Sequence, residues 1–273
     1  MVIRNGLKVL NLREVNAFLK YFEIYYNALD EKEAFIQALK ENSPLYKSDA
    51  RVRWELAADH REWPEEAVKV IMDAAKALRM LEPQTWIVGN FDAAITIGGA
   101  NQAPLARAEF VMDAISRGHR ISQLVLTGSS KRELKASEIE NVKNYARNAT
   151  TEFGLARAVF DLLAPKSGTM TINLYRVELN NAHNYNVLDN VIVDYLTERL
   201  PDDPRICAVT TQIYQQALEL DLLRVARKHG IPPENILAAG TPSTEAVIKA
   251  RTPLTYLAEI NRTIWAAVEE ATA

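Results

Sequence analysis

Cysteine is nearly absent from this sequence, since Cys207 is the only one among 273 residues. A single cysteine excludes an intramolecular disulfide and any zinc site built from CxxC pairs. Cys207 lies inside an apolar run, where we expect a small core side chain. The four histidines lie far apart in the sequence and no HExxH motif occurs. The sequence therefore predicts no metal site.

Long apolar runs and a charge excess of one sign are also missing. No apolar stretch approaches the ~18 residues of a membrane-spanning helix, and residues 1–8 carry charges where a signal peptide has its apolar segment. We therefore expect a cytoplasmic protein with no membrane partner. Lys and Arg number 32 and Asp and Glu 35, for a net charge of −3. Nucleic-acid binders usually show a basic excess, so we expect no nucleic-acid partner.

The standard motifs for nucleotides and hydrolysis do not occur. Gly98-Gly99 lacks the third glycine of GxGxxG, and there is no GxxxxGK[ST]. A P-loop nucleotide hydrolase is therefore disfavoured. GxSxG is absent as well, which counts against an α/β-hydrolase.

Residues 1–90 show helical patterns only. Apolar residues from Val15 to Leu29 fall on one helical face, and Pro64-Glu65-Glu66 has the proline and acids typical of a helix start. An amphipathic face needs a partner surface. We therefore expect 1–90 to pack on the core or to cap it. The stripe from Leu254 to Val268 predicts that 241–273 forms C-terminal helices packed on the core.

Residues 91–240 alternate between strand and helix patterns. Five short β-rich or apolar runs predict strands at 92–98, 121–127, 169–178, 205–210 and 235–239. Helical stretches lie between them at 104–117, 137–164 with a break, 184–199 and 212–229. Strands that alternate with helices predict a Rossmann-like three-layer α/β sandwich with a mainly parallel five-stranded sheet.

The loops at the carboxyl ends of these strands are the predicted ligand site. They are rich in small and polar residues, which let a backbone approach a ligand, although ordinary turns use the same residue types. The candidate ligand-binding residues of these loops are Gly98, Gly99, Asn101, Thr127, Gly128, Ser129, Ser130, Thr210 and Gln212.

Charged and amide residues beside these loops extend the predicted site. Arg107 lies one turn into the helix after Pro104, within reach of the first strand end. It could clamp a phosphate or carboxylate with little contribution to stability; the alternative is a surface arginine. Glu138 opens a helix, as a ligand contact or a partner of the helix dipole. Glu178 ends the third strand before an asparagine-rich stretch, which indicates a binding role toward ribose hydroxyls or a cationic ligand group. The alternative is a structural carboxylate that accepts backbone N–H bonds. The candidates of that stretch are Asn181, His183 and Asn186.

At these positions the sequence resembles a bacterial family of unknown function that includes YdcF, SanA and ElyC. The similar features are the strand from Asp92 to Gly99 with Arg107 after it, Leu126-Thr127-Gly128, Ser137-Glu138, and Glu178 with its asparagines. Thr210–Ala217 departs from the family pattern, because its usual His and Arg are replaced. The resemblance covers roughly 91–240 and is closest to the YdcF branch.

The resemblance implies a Rossmann-like fold that binds a nucleotide-type ligand, S-adenosylmethionine or another adenosine nucleotide. A transferase is one expectation. The alternatives are a non-catalytic ligand-binding or sensor protein, which the missing His and Arg favour, and a protein of envelope glycan or lipid-phosphate metabolism. No residue is assigned a catalytic role, and the sequence does not indicate an oligomeric state.

Overall fold

The computed structural model describes residues 4–24, 33–35, 37, 64–81, 87–166, 168–177, 191–192, 199–243 and 251–273. The chain divides into two compact units, which are described separately. The sheet unit comprises Thr85–Thr211 and Val225–Thr241. The helical unit comprises Met1–Gln84, Gln212–Arg224 and Pro242–Ala273, so it draws on both ends of the chain.

The sheet unit contains five strands that all run parallel, in the spatial order β3-β2-β1-β4-β5. The strands are β1 Phe91–Thr96, β2 Ile121–Ser129, β3 Thr171–Val177, β4 Ile206–Thr211 and β5 Ile236–Thr241. This is the strand order of a Rossmann fold, in which β2 and β3 lie on one side of β1 and β4 and β5 lie on the other. The order reverses between β1 and β4, and the crevice at their carboxyl ends is the expected ligand position.

Helices connect β1 to β2, β2 to β3 and β4 to β5, as parallel pairing requires. In chain order, the helices of the described residues are α1 Gly6–Leu10, α2 Arg13–Tyr21, α3 Glu65–Ala77, α4 Ala103–Ser116, α5 Ala136–Val142, α6 Glu152–Leu163, α7 Gln215–Lys228 and α8 Pro253–Ala271. Pro104 occupies the first turn of α4, where the missing proline N–H costs no helical hydrogen bond.

The core of the sheet unit forms where α4 and α6 cover the apolar strands. Leu124 and Val209 are fully buried in one cluster with Val111 of α4 and Val159 of α6. Cys207 is fully buried in the same cluster, as the sequence predicts. Strands β1, β4 and β5 are buried along nearly their whole length, which explains their continuous apolar sequences.

The helical unit joins the two ends of the chain through a second core. Val9, Val15 and Phe18 share this core with Leu257 and Ile264 of α8. The backbone N–H of Gly6 donates to Glu270 Oε2 at 2.6 Å. A Cβ atom on Gly6 would lie 2.1 Å from the Ala267 carbonyl oxygen, so this approach of α1 to α8 requires glycine.

The predicted fold class, a Rossmann-like three-layer α/β sandwich, is confirmed, and the sheet is entirely parallel. All five strands lie where the sequence predicts them, within one or two residues at most ends. The break expected in 137–164 falls between Val142 and Glu152. The helix expected at 184–199 lies outside the described residues except at 191–192 and 199. The predicted packing of 1–90 and 241–273 on the sheet core stays a prediction.

Candidate functional site

Arg107 lies at the point where the strand order reverses. Its side chain extends from the second turn of α4, and the residue is only 3% exposed. Nη1 donates to the carbonyl oxygens of Ile97 and Gly98, and Nη2 donates to Thr211 Oγ1 at 3.0 Å. The guanidinium therefore ties the loop after β1 to the end of β4.

Gly99 permits this position of the guanidinium. A Cβ atom on Gly99 would lie 2.9 Å from Arg107 Nη1, inside the closest approach that carbon and nitrogen tolerate. The glycine pair after β1 thus has a packing role in addition to any contact with a ligand. The planar guanidinium of Arg107 thus holds the backbone of Ile97 and Gly98, which lie beyond the end of strand β1.

The same loop also contains three successive backbone N–H groups. Arg107 engages the carbonyl oxygens of Ile97 and Gly98. Within the described part of the chain, the N–H groups of Gly98, Gly99 and Ala100 donate no hydrogen bond. Successive N–H groups ahead of a helix attract anionic groups. The loop between β1 and α4 is therefore suited to a phosphate or carboxylate.

A small cleft opens at the carboxyl ends of β1, β2 and β3. Its cavity volume is about 40 Å³. The lining residues are Ile97, Gly98, Thr127, Gly128, Ser129, Glu152 and Val177. The Thr127 hydroxyl donates to the Thr96 carbonyl oxygen at 2.7 Å, which joins the ends of β1 and β2. The walls are mainly apolar and backbone surfaces, with one charged side chain.

That charged side chain belongs to Glu152, the first residue of α6. Thr151 caps the helix by accepting a hydrogen bond from the Gly154 N–H at 3.1 Å. Glu152 is 8% exposed, and its Oε2 accepts from the Ser129 N–H at 3.3 Å. Its Oε1 lies 3.5 Å from Arg132 Nε. The helix dipole, the Ser129 N–H and Arg132 favour the ionised form of the Glu152 carboxyl group, while burial favours its protonated form.

Two glycines make room for Glu152 against the sheet. A Cβ atom on Gly128 would lie 2.7 Å from the Glu152 carbonyl oxygen, and one on Gly98 would lie 3.3 Å from Glu152 Oε2. The strand ends therefore carry glycine where the start of α6 passes closest. Gly98 and Gly128, which the sequence predicts as ligand-binding residues, thus also allow the start of α6 to pack against the strand ends.

Arg132 links Glu152 to the start of α5. Its Nη2 donates to Glu138 Oε1 at 3.1 Å, and Glu138 Oε2 accepts from the Lys135 N–H at 2.9 Å. The Glu138 carboxylate therefore caps α5 and pairs with Arg132. Arg132 Nη1 is buried and makes no hydrogen bond among the described residues. This arrangement leaves one cationic donor beside the cleft.

Asn101 shapes the far end of the loop before α4. Its backbone is left-handed, with φ of 54°, which asparagine tolerates better than most residues. Asn141 Nδ2 donates to Asn101 Oδ1 at 2.9 Å, and the Tyr145 hydroxyl donates to the Asn101 carbonyl oxygen at 3.1 Å. Burial, and secondarily the negative charge of Glu109, raise the pKa of Tyr145 to about 12. Its hydroxyl therefore remains a donor at neutral pH.

Glu152 makes the stability of the protein depend on pH. Burial raises the pKa of its carboxyl group above the ordinary value of 4.5, although Arg132, the Ser129 N–H and Arg107 act against burial. The folded state therefore holds this proton more tightly than the unfolded state does. The contribution of Glu152 to the free energy of unfolding is largest below about pH 4.5 and falls as pH rises through the raised pKa.

We expect Glu152→Gln to remove this dependence. The variant should gain stability relative to the wild type as pH rises above about 4.5, in urea unfolding followed at several pH values. Asp161→Asn makes the same chemical change on an exposed position of α6 and serves as the control. A stability difference for Glu152→Gln that stays constant from pH 4.5 to 8 would contradict the expectation.

The structure brings together several residues that the sequence predicts for the site. Gly98, Thr127, Gly128 and Ser129 line the cleft, and Ser130 follows directly. Gly99 and Asn101 lie in the neighbouring loop, which Arg107 holds in place. Glu138 pairs with Arg132, and Arg132 in turn lies beside the cleft residue Glu152. Thr210 is buried near the end of β4, paired in register with Gly240. A ligand contact by these residues stays a prediction.

Other predicted residues lie elsewhere. The Gln212 side chain is buried in the helical unit and donates to the Met80 carbonyl oxygen at 3.3 Å. Glu178, Asn181, His183 and Asn186 lie outside the described residues, so their role in binding stays a prediction.

Sequence reasoning missed Glu152 and Arg132. Both lie in the connection between β2 and β3. Arg132 follows Ser130 of the strand-end loop by two residues, whereas Glu152 lies more than 20 residues from that loop. The available signal was Thr151-Glu152, a capping residue followed by an acid at a helix start. That pattern predicts a solvated helix end, and only the close approach of Gly98 and Gly128 makes Glu152 a cleft residue.

No group of three or more metal-ligating side chains occurs among the described residues. None of the helices in that part of the chain is both long and apolar enough to cross a membrane.

Comparison with known proteins gives no relative. No family model matches the chain, and no curated protein and no solved structure matches it.

Proposed function

We propose that this chain binds a nucleotide-type ligand, S-adenosylmethionine or another adenosine nucleotide, at the carboxyl edge of the sheet. The observation that carries the proposal is the cleft at the ends of β1–β3, beside the point where the strand order reverses. Ligands of open parallel sheets bind outside the carboxyl ends of the strands at the point where the order reverses, and β1 borders both that point and the cleft. The sequence resemblance to the YdcF branch supports the same ligand class.

The donors around the cleft support an anionic group on the ligand. The N–H groups of Gly98, Gly99 and Ala100 precede α4 and donate no hydrogen bond within the described residues. A phosphate of an adenosine nucleotide, or the carboxylate of S-adenosylmethionine, would accept from such donors. The carboxylate of Glu152 opposes an anion directly beside it, so the anionic group belongs at the loop before α4.

The first experiment identifies the ligand. Native mass spectrometry of the purified full chain tests for a retained small molecule, and calorimetry with S-adenosylmethionine, AMP and ATP measures affinity. We expect at least one of them to bind. Turnover of the bound ligand with a panel of acceptors would indicate a transferase, and binding without turnover a sensor. Failure of all three to bind would contradict the proposal.

A second experiment places the ligand in the cleft. Gly98→Ala adds a methyl group within 3.3–3.4 Å of Glu152 Oε2, the Thr127 carbonyl oxygen and Gly128 Cα. We expect affinity to fall about tenfold, or roughly 1.4 kcal/mol. Gly154→Ala is the matched control, because its methyl group meets neighbours at the same 3.3–3.4 Å but does not line the cleft. Equal affinities of the two variants would place the ligand elsewhere.

A further inference from the structure

The size of the cleft limits which part of a ligand can enter it. A water-sized group needs roughly 10–15 Å³ of such cavity volume. The cleft of about 40 Å³ therefore admits about three groups of that size, far less than a nucleoside. Only a small fragment of the ligand reaches Glu152, and the remainder lies over the strand ends.

The wall of the cleft determines the chemistry of that fragment. Among the described residues that line the cleft, Glu152 is the only charged one. The Thr127 hydroxyl donates to Thr96, and Ser129 Oγ accepts from the Lys131 N–H, so both already have partners. The fragment must therefore complement a buried carboxylate.

The carboxylate retains capacity to accept hydrogen bonds. Its two oxygens offer about four lone-pair positions, and the Ser129 N–H and Arg132 Nε occupy at most two of them. Arg132 Nε lies 3.5 Å from Glu152 Oε1, so a cationic group on the ligand would meet the like charge of this guanidinium, which Glu138 and Glu152 share. A phosphate would place its negative charge beside that of the Glu152 carboxylate in a partly desolvated cleft. Neutral hydroxyl donors fit both conditions.

We propose that Glu152 selects a ligand fragment with two adjacent hydroxyl groups, as on a ribose ring, and accepts hydrogen bonds from them. This inference rests on the proposed function, because it assigns the ribose of the adenosine ligand to the cleft. Glu152 is then the residue that distinguishes ribose from deoxyribose. Gly98 and Gly128 keep the carboxylate close enough to the strand ends to do so.

The test is a cycle of two ligands and three proteins. Calorimetry measures the binding of adenosine and of 2′,3′-dideoxyadenosine to the wild type, to Glu152→Gln and to Asp161→Asn. We expect the wild type and Asp161→Asn to prefer adenosine by about 10- to 100-fold, which is the loss of one or two hydrogen bonds to a charged acceptor. In Glu152→Gln the preference should fall below about threefold.

Each contrary result has a distinct meaning. Equal affinity of the wild type for the two nucleosides overturns the inference while the proposed function stands, and this arm needs no variant. A preference that persists in folded Glu152→Gln also overturns it. If the wild type binds neither nucleoside, nor S-adenosylmethionine, AMP or ATP, the proposed function fails and the inference fails with it.

Discussion

Arg107→Ala is expected to lower the free energy of unfolding by about 2–5 kcal/mol. The buried guanidinium donates to the carbonyl oxygens of Ile97 and Gly98 and to the Thr211 hydroxyl. Each buried carbonyl that loses its donor costs about 1–3 kcal/mol. Urea unfolding of the full chain measures the loss. The sequence alone indicates a ligand contact with little effect on stability, but the burial of Arg107 leads us to expect a structural effect.

Two further variants test the reason for this loss. Arg107→Lys keeps the charge, but a single ammonium group lacks the planar fork that reaches three acceptors, so we expect an intermediate stability. Arg117→Ala removes an arginine that is 38% exposed at the end of the same helix, and its effect should stay below about 1 kcal/mol. The interpretation fails if Arg107→Ala and Arg117→Ala are equally stable.

Gly128→Ala is expected to cost about 1–3 kcal/mol and to displace the start of α6. The new methyl group would lie 2.7 Å from the Glu152 carbonyl oxygen, 2.8 Å from its carbon and 2.9 Å from Phe153 Cα. All three are backbone atoms, which cannot turn away as a side chain can. Thermal unfolding measures the loss, and the displacement of Glu152 should weaken ligand binding at the same time.

Gly154→Ala is the control for this substitution as well. Its methyl group meets no atom closer than 3.3 Å, and alanine is the better helix former. We expect Gly154→Ala to match or exceed the wild type in stability. If Gly128→Ala is as stable as Gly154→Ala, the close approach of β2 to α6 does not constrain the fold.

The strands of this protein are predictable because their burial is reflected in their amino-acid sequences. Strands such as β4, buried on both faces, read as continuous apolar runs, and glycine or threonine ends most of them. The position of the site follows from the same pattern, because parallel strands end at one edge. These features depend on residues near one another in the sequence.

The features that were not predictable depend on contacts between distant segments. Glu152 becomes a cleft residue because Gly98 and Gly128, more than 20 residues away, leave space for it. Arg107 lies at a position typical of a ligand clamp, but its Nη1 and Nη2 atoms both donate within its own chain. Gln212 follows a strand end, and yet its amide turns to Met80. In each case, the sequence gives the residue type and the tertiary structure decides its partner.

The contact between Gly6 and Glu270 has a consequence for the order of folding. These residues are 264 positions apart, and the core of the helical unit contains side chains from both α2 and α8. During synthesis, the residues of the sheet unit are complete before α8 exists, because that unit ends at Thr241. The sheet unit can therefore form first. The N-terminal helices complete their core only after residues 251–273, which include α8, have been synthesised.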